Sequence, residues 1–194
     1  RYVKQHPVPF GEYVPGRELI APLVGRLDRV PRDMRAGTEP GVLEIGPVTA
    51  GVVICFEIAY DAEVRETVLE GGEILVVQTN NATYGRTGQP EQQFAISRLR
   101  ALEHGRDVVI ASTSGISGLV RADGTVDEKT EEFTQAVIVT PVDTRTTLTW
   151  ATRSGLAWSW VLAGVGVTGM MVGVVTRMRA RRDVRSQQES TVGG

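Results

Sequence analysis

Gly51-Val52-Val53-Ile54-Cys55-Phe56-Glu57-Ile58-Ala59-Tyr60 runs a short β-branched stretch into the only cysteine of the 194-residue chain. Such a run predicts a buried strand over Val52–Phe56, with Cys55 where the strand ends and the chain turns. A side chain at that point is exposed by the turn, and the next backbone N–H is free to hold an oxyanion. Free cysteine is also among the most buried residue types. Its neighbours must decide between a nucleophile and a small core residue.

Working outward, alternation of strand and helix signals begins at Val42. Val42–Ile45 reads as a strand. Asp61 reads as the cap of a helix that runs through Glu70 and stops at Gly71-Gly72. Ile74–Gln78 is the next strand, followed by the polar loop Thr79-Asn80-Asn81-Ala82-Thr83-Tyr84-Gly85. A second helix is predicted from about Pro90 to His104, with Gly105 as its stop. Val108–Ala111 and Ile116–Arg121 follow as strands, then the turn Ala122-Asp123-Gly124-Thr125 and a last strand over Gln135–Val142. Strand–helix–strand order followed by consecutive strands is a layered α/β pattern.

Upstream, residues 1–41 are rich in Pro and Gly. His6-Pro7-Val8-Pro9-Phe10-Gly11-Glu12-Tyr13-Val14-Pro15-Gly16 is extended and broken by turns. Leu19–Val24, with Leu27, is too apolar for an ordinary loop and either packs on the core or forms an apolar flap over a site. Arg1-Tyr2-Val3-Lys4 opens in the middle of a pattern, so the chain reads as the C-terminal portion of something longer.

Downstream, residues 155–176 carry no charge. Twenty-two helical residues at ~1.5 Å each span about 33 Å, close to the hydrocarbon thickness of a bilayer. Trp158 and Trp160 stand at one end, where aromatic rings favour the interface. Five arginines from Arg177 to Arg185 follow the other end. That asymmetry predicts a cytoplasmic C-terminus and an extracytoplasmic position for residues 1–154. Gly169-Met170-Met171-Val172-Gly173 is a small-xxx-small face of the span, and Ser186–Gly194 reads as unstructured.

Composition narrows the chemistry. One cysteine excludes an internal disulfide and multi-cysteine metal sites, and two histidines, His6 and His104, leave little for zinc. No metal or other cofactor is expected. The net charge of −2 divides into +3 from Arg177 onward and −5 before it. The basic tail belongs to the span and does not indicate a nucleic-acid partner. Arginines number 19, with Lys4 and Lys129 the only lysines, which hints that an ammonium is needed at those positions.

Three stretches stand together: Tyr2-Val3-Lys4-Gln5-His6 with Val8-Pro9-Phe10-Gly11-Glu12-Tyr13-Val14-Pro15, then Val53-Ile54-Cys55-Phe56-Glu57, then Thr79-Asn80-Asn81-Ala82-Thr83-Tyr84-Gly85. With Arg98-Leu99-Arg100-Ala101-Leu102-Glu103 and a terminal span, the chain resembles the apolipoprotein N-acyltransferase family, integral membrane members of the nitrilase superfamily. The resemblance implies the C-terminal part of an α-β-β-α layered sandwich over residues 1–154, one transmembrane helix over 155–176, and a basic cytoplasmic tail over 177–194.

It also implies a Glu–Lys–Cys triad, with Cys55 as nucleophile, Lys4 as the lysine and a general-base glutamate upstream of residue 1. Glu12 matches a second acidic residue beside the lysine. Phe56 and Glu57 match the pair after the nucleophile, while Thr83 departs from the Trp of many relatives. A thiol is mostly protonated at neutral pH, so Cys55 needs a base or a cation nearby. Lys4 supplies the charge that favours first thiolate and then oxyanion. Glu12 orients Lys4, and the Phe56 N–H is a second oxyanion donor. Glu57 either lines the site or caps the next helix. Asn80 and Asn81 are expected to brace their loop, Arg100 and Glu103 to form an ion pair, and both histidines to be structural.

The implied activity moves an acyl chain from a phospholipid to the α-amino group of the N-terminal diacylglyceryl-cysteine of an apolipoprotein. The implied setting is the cell membrane, inner or plasma, multi-pass in the full-length protein, with the chain monomeric. A membrane-tethered carbon–nitrogen hydrolase and a non-catalytic tethered module are the other two readings.

Overall fold

The computed structural model describes the backbone of residues 1–20 and 30–192 and the side chains within 1–19 and 30–178. Most of the apolar segment expected as a flap, from Ala21 through Val24 and including Leu27, lies outside the described residues.

The chain divides into two units, Arg1–Arg153 and Ser154–Gly194. In the first, a short helix α1 (Arg17–Ile20) precedes β1 (Val42–Ile45) and β2 (Val48–Ile54). A five-residue 3₁₀ turn, Cys55–Ala59, leads into α2 (Asp61–Leu69). Then come β3 (Ile74–Thr79), a second 3₁₀ turn (Ala82–Tyr84), α3 (Gln89–His104), β4 (Val108–Ser112), β5 (Gly118–Val120), β6 (Val126–Lys129) and, all but its last residue, α4 (Trp150–Ser154).

The six strands form one mixed sheet in chain order. β2, β3 and β4 are parallel, whereas β1 and the β5–β6 ribbon join antiparallel at either side. Two right-handed crossovers in one direction along a sheet put both connecting helices on the same face. The larger core cluster lies on that side: Val53, Val64, Val68, Leu75, Val77, Phe94, Ala101, Val108 and Ile110. The period of two sends the intervening residues to the other face, where Ala50, Val52 and Ile74 meet Tyr2, Leu43, Val76 and Val142. Gly51 lets α2 lie close on β2, because a Cβ there would stand 2.6 Å from Thr67 Cγ2.

Three expectations are corrected. The central strand stops at Ile54, so Cys55 and Phe56 belong to the turn. Ile116–Arg121 shrinks to Gly118–Val120, which pairs on to Val126–Lys129, a strand whose side chains are all exposed. Gln135–Val142 is extended but not a strand. Its alternate residues Ala136, Ile138, Thr140 and Val142 line a cleft against β4 and β5, and Val137 and Val139 stand about 90% exposed, so apolar alternation is present without ladder hydrogen bonds.

The second unit is the helix α5 (Ala157–Val192). Its stretch Ala157–Met178, 22 residues at a mean hydropathy of 1.7, is long and apolar enough to cross a bilayer. The helix continues through Val192, past the point at which an unstructured tail was expected.

Candidate active site

Parallel strands bring their C-terminal ends to one edge, where an α/β sheet presents its sites. Ile54, Gln78 and Ala111 are in register there. Cys55 follows Ile54 directly and adopts φ +58°, a left-handed conformation that a residue with a Cβ enters only at a cost of roughly 1–2 kcal/mol. The strand stops abruptly, Cys55 is half-buried, and the Phe56 N–H falls in the first turn of a helix, where amides have no partner within the helix.

Lys4 is buried, 9% exposed, and its ammonium contacts both Glu12 oxygens at 2.9 and 2.7 Å. The Val8 N–H donates to the same carboxylate at 2.7 Å. Glu12 therefore holds the ammonium and also the tight loop on which it sits.

Glu57 is where the structure departs from expectation. It is fully buried and accepts four hydrogen bonds. Oε1 takes the Gln5 N–H at 2.6 Å and the His6 N–H at 3.1 Å. Oε2 takes the Ile54 N–H at 2.7 Å and the Tyr2 hydroxyl at 2.9 Å. It does not line the site, and the helical segment it caps is its own 3₁₀ turn. One carboxylate thus bonds the residue after Lys4 and the residue before Cys55, tying together the backbone segments that carry them, 51 positions apart in sequence. Burial and the charge of Glu57 hold the Tyr2 phenol well above its ordinary range.

Behind the turn, His6 stacks on Tyr60 at 4.5 Å, and Tyr60 meets Phe56 edge-on at 5.9 Å. His6 Nδ1 lies 2.8 Å from Glu63, whose carboxyl is raised by burial against the opposing effect of His6. The Arg100 guanidinium contacts both Asp61 and Glu103, the expected pair extended by one member. Asp61, Glu103 and His104 also bring ligand-type atoms within 4.8 Å of one another, but the guanidinium already occupies the two carboxylates.

The loop beyond β3 completes the edge. The Asn81 amide donates to Gln93 at 2.7 Å, and its oxygen accepts from Ser112 at 3.1 Å. Asn80 accepts from the Ala82 N–H at 3.1 Å and from Thr113 at 3.0 Å. Both asparagines brace the loop, as the sequence predicts. Tyr84, which sequence reasoning passed over, has its phenol raised by burial and further by Cys55 and Glu12. With Val8, Phe56, Ile58, Ile96 and the glutamines of α3 it lines a cavity of about 270 Å³. Its place in the loop after a parallel strand was the one available signal.

Residues 1–152 match the sequence profile of the carbon-nitrogen hydrolase family. The chain is similar to the apolipoprotein N-acyltransferase of Mycolicibacterium smegmatis, 37% identical over 193 residues that cover 99% of this chain and 32% of that one. To the enzyme of the same name from Gloeobacter violaceus it is 40% identical over 141 residues, 72% of this chain and 26% of that one. It spans about a third or less of the length of these relatives. A solved structure from Saccharomyces cerevisiae, a branch 10 member of the nitrilase superfamily, aligns with a TM-score of 0.47 at 17% identity, covering 56% of this chain and 42% of that one.

Proposed function

This chain belongs to the carbon-nitrogen hydrolase family, and we propose that it forms the catalytic C-terminal part of a membrane-bound apolipoprotein N-acyltransferase. The observation that carries the proposal is the Glu57 carboxylate tying the backbone beside Lys4, at Gln5, to the backbone beside Cys55, at Ile54, with the nucleophile at φ +58°. In this reading the Cys55 thiolate attacks the carbonyl carbon of a phospholipid ester. The tetrahedral oxyanion is met by the Lys4 ammonium and the Phe56 N–H. Collapse expels the lysophospholipid alkoxide, which takes up a proton, and leaves the acyl chain as a thioester. The α-amino group of a diacylglyceryl-cysteine then attacks the thioester, loses a proton and releases the thiolate, so the two half-reactions alternate. The proton transfers fall to a glutamate outside residues 1–194. The apolar walls Val8, Phe56, Ile58 and Ile96 suit the first carbons of the chain.

Both lipid substrates stay in a bilayer, and the Ala157–Met178 helix suits a protein anchored there. We place residues 1–154 on the extracytoplasmic side and the arginine-rich end in the cytoplasm. The test uses the protein at its full natural length with phospholipid and no acceptor. A hydroxylamine-labile acyl adduct should accumulate on Cys55 and be absent in Cys55→Ala. Lys4→Ala should slow its formation by about 10²–10³, the loss typical of one oxyanion contact. Lys4→Arg should not restore it, because a planar fork cannot replace a compact ammonium. Release of the adduct by water as fast as by a lipopeptide amine would assign a tethered hydrolase instead, and no adduct at all would leave a non-catalytic module.

A further inference from the structure

We propose that Arg100 is a positioning residue for the acyl transfer, clamping the turn that carries Cys55 and the Phe56 N–H; the proposal rests on the acyl-enzyme reading above. A left-handed residue with a Cβ persists only where its surroundings enforce it, and Cys55 is held at φ +58° in a turn of five residues. So short a turn must be fixed from its ends. At its start, Glu57 accepts the Ile54 N–H at 2.7 Å. At its finish, Arg100 Nε donates to the Ile58 carbonyl at 3.0 Å and Nη2 to the Ala59 carbonyl at 3.0 Å. The third arm, Nη1, holds Asp61, the first residue of α2, at 2.9 Å and also reaches Glu103. Arg100 is 7% exposed and Ile58 fully buried, so water has little access to replace the lost donors. One rigid guanidinium on α3 therefore fixes where the turn ends and where the next helix begins. A lysine ammonium would keep the charge between Asp61 and Glu103, but it cannot hold two carbonyls in one plane.

The ion pair and the clamp can be separated. Arg100→Lys keeps a cation beside the carboxylates and gives up the paired carbonyl contacts; Asp61→Asn does the reverse. In full-length protein in mixed phospholipid–detergent micelles, single-turnover formation of the Cys55 thioester, the KM for phospholipid and the melting temperature are measured for each. Arg100→Lys should acylate about 10- to 100-fold more slowly, the loss expected from a misplaced reacting group, with KM for the donor within about twofold of the parent. Asp61→Asn should acylate within about threefold of the parent even where its melting temperature falls as far. Arg100→Gln, which gives up the cation as well as the paired donors, should acylate no faster than Arg100→Lys. Parental acylation by Arg100→Lys, or a rate loss that simply follows melting temperature across the three variants, would overturn the clamp. If the parent itself forms no thioester, the acyl-enzyme reading fails first and the clamp falls with it.

Discussion

Replacing Glu57 by Gln changes one oxygen to an amide nitrogen and barely alters shape, so it tests whether the buried carboxylate holds the site together. Both Oε1 donors are backbone amides, so the new NH₂ is better tolerated on the Oε2 side, where the Tyr2 hydroxyl can rotate to accept. The Ile54 N–H cannot, and it loses its acceptor. A buried donor left without a partner costs about 1–3 kcal/mol. The remaining contacts fall from charge-assisted to neutral strength, at roughly 0.5–1 kcal/mol each. Together these come to about 3–5 kcal/mol, or roughly 10 °C in melting temperature for a domain of this size. Tyr2→Phe removes one donor and leaves three backbone amides on the carboxylate, so it should lose only about 1 kcal/mol. Thermal unfolding in detergent, read with the rate of Cys55 acylation, compares the two. A Glu57→Gln protein that melts within about 2 °C of the parent and acylates normally would refute the idea that this carboxylate ties the Lys4 segment to the Cys55 segment.

His104 offers a pH test: burial, with Arg100 adding to it, holds its imidazole down at about 4, against ~6.5 in an unfolded chain. The unfolded state alone takes up the proton as pH falls through that window, so the contribution, on the order of 3 kcal/mol, is complete above about pH 7 and lost towards pH 4. Glu63 and Glu103, raised by burial, work in the opposite sense, so the informative quantity is the slope of stability against pH for His104→Asn beside the parent. The variant should be flatter between about pH 6.5 and 4.5, and equal slopes would count against a buried neutral imidazole. Gly124→Ala puts a Cβ 2.8 Å from Leu102 at φ +80° and should destabilise by about 1–2 kcal/mol, seen in urea unfolding. Lys129→Ala, which removes an exposed pair with Glu91 at 2.9 Å and an ammonium 5.2 Å from the Phe94 ring centroid, should lower stability by no more than about 1 kcal/mol in the same assay.

What the sequence made readable was local. The two crossover helices announced themselves through their glycine stops, and observed bounds differ from expectation by a residue or so; Asp61, read as a cap, is instead the first residue of α2, behind Tyr60. Val42–Ile45 is placed as expected, and the cysteine does sit just past a strand. Two misreadings share a cause. Gln135–Val142 alternates like a strand, yet a ladder needs a neighbouring edge, which no pattern along one chain can supply. Val126–Lys129, three of its four residues charged, lacks a β signal and pairs because the Gly124 turn folds it back onto β5. The brace at Glu57 was unreadable for the same reason: its partners at Gln5 and His6 lie 52 and 51 positions away, and a carboxylate at a helix start has a sufficient local explanation. Arg100 looked like half of an ion pair because Glu103 is one helical turn along, while its carbonyl partners on the Cys55 turn lie 42 and 41 positions back.

The left-handed backbone at Cys55 sets stability against usefulness at a single position. Glycine is the one residue that adopts that geometry without steric penalty, so Cys55→Gly gives up the thiol while relieving the main chain. Most replacements at a half-buried position weaken a protein; this one removes an encumbrance and offsets much of the flexibility it adds to the unfolded chain. Selection for robustness alone would therefore tend to drift towards an inert scaffold. Phe10 and Phe133 share that left-handed backbone, so it is the thiol and not the φ alone that the acyl-enzyme reading requires at this position.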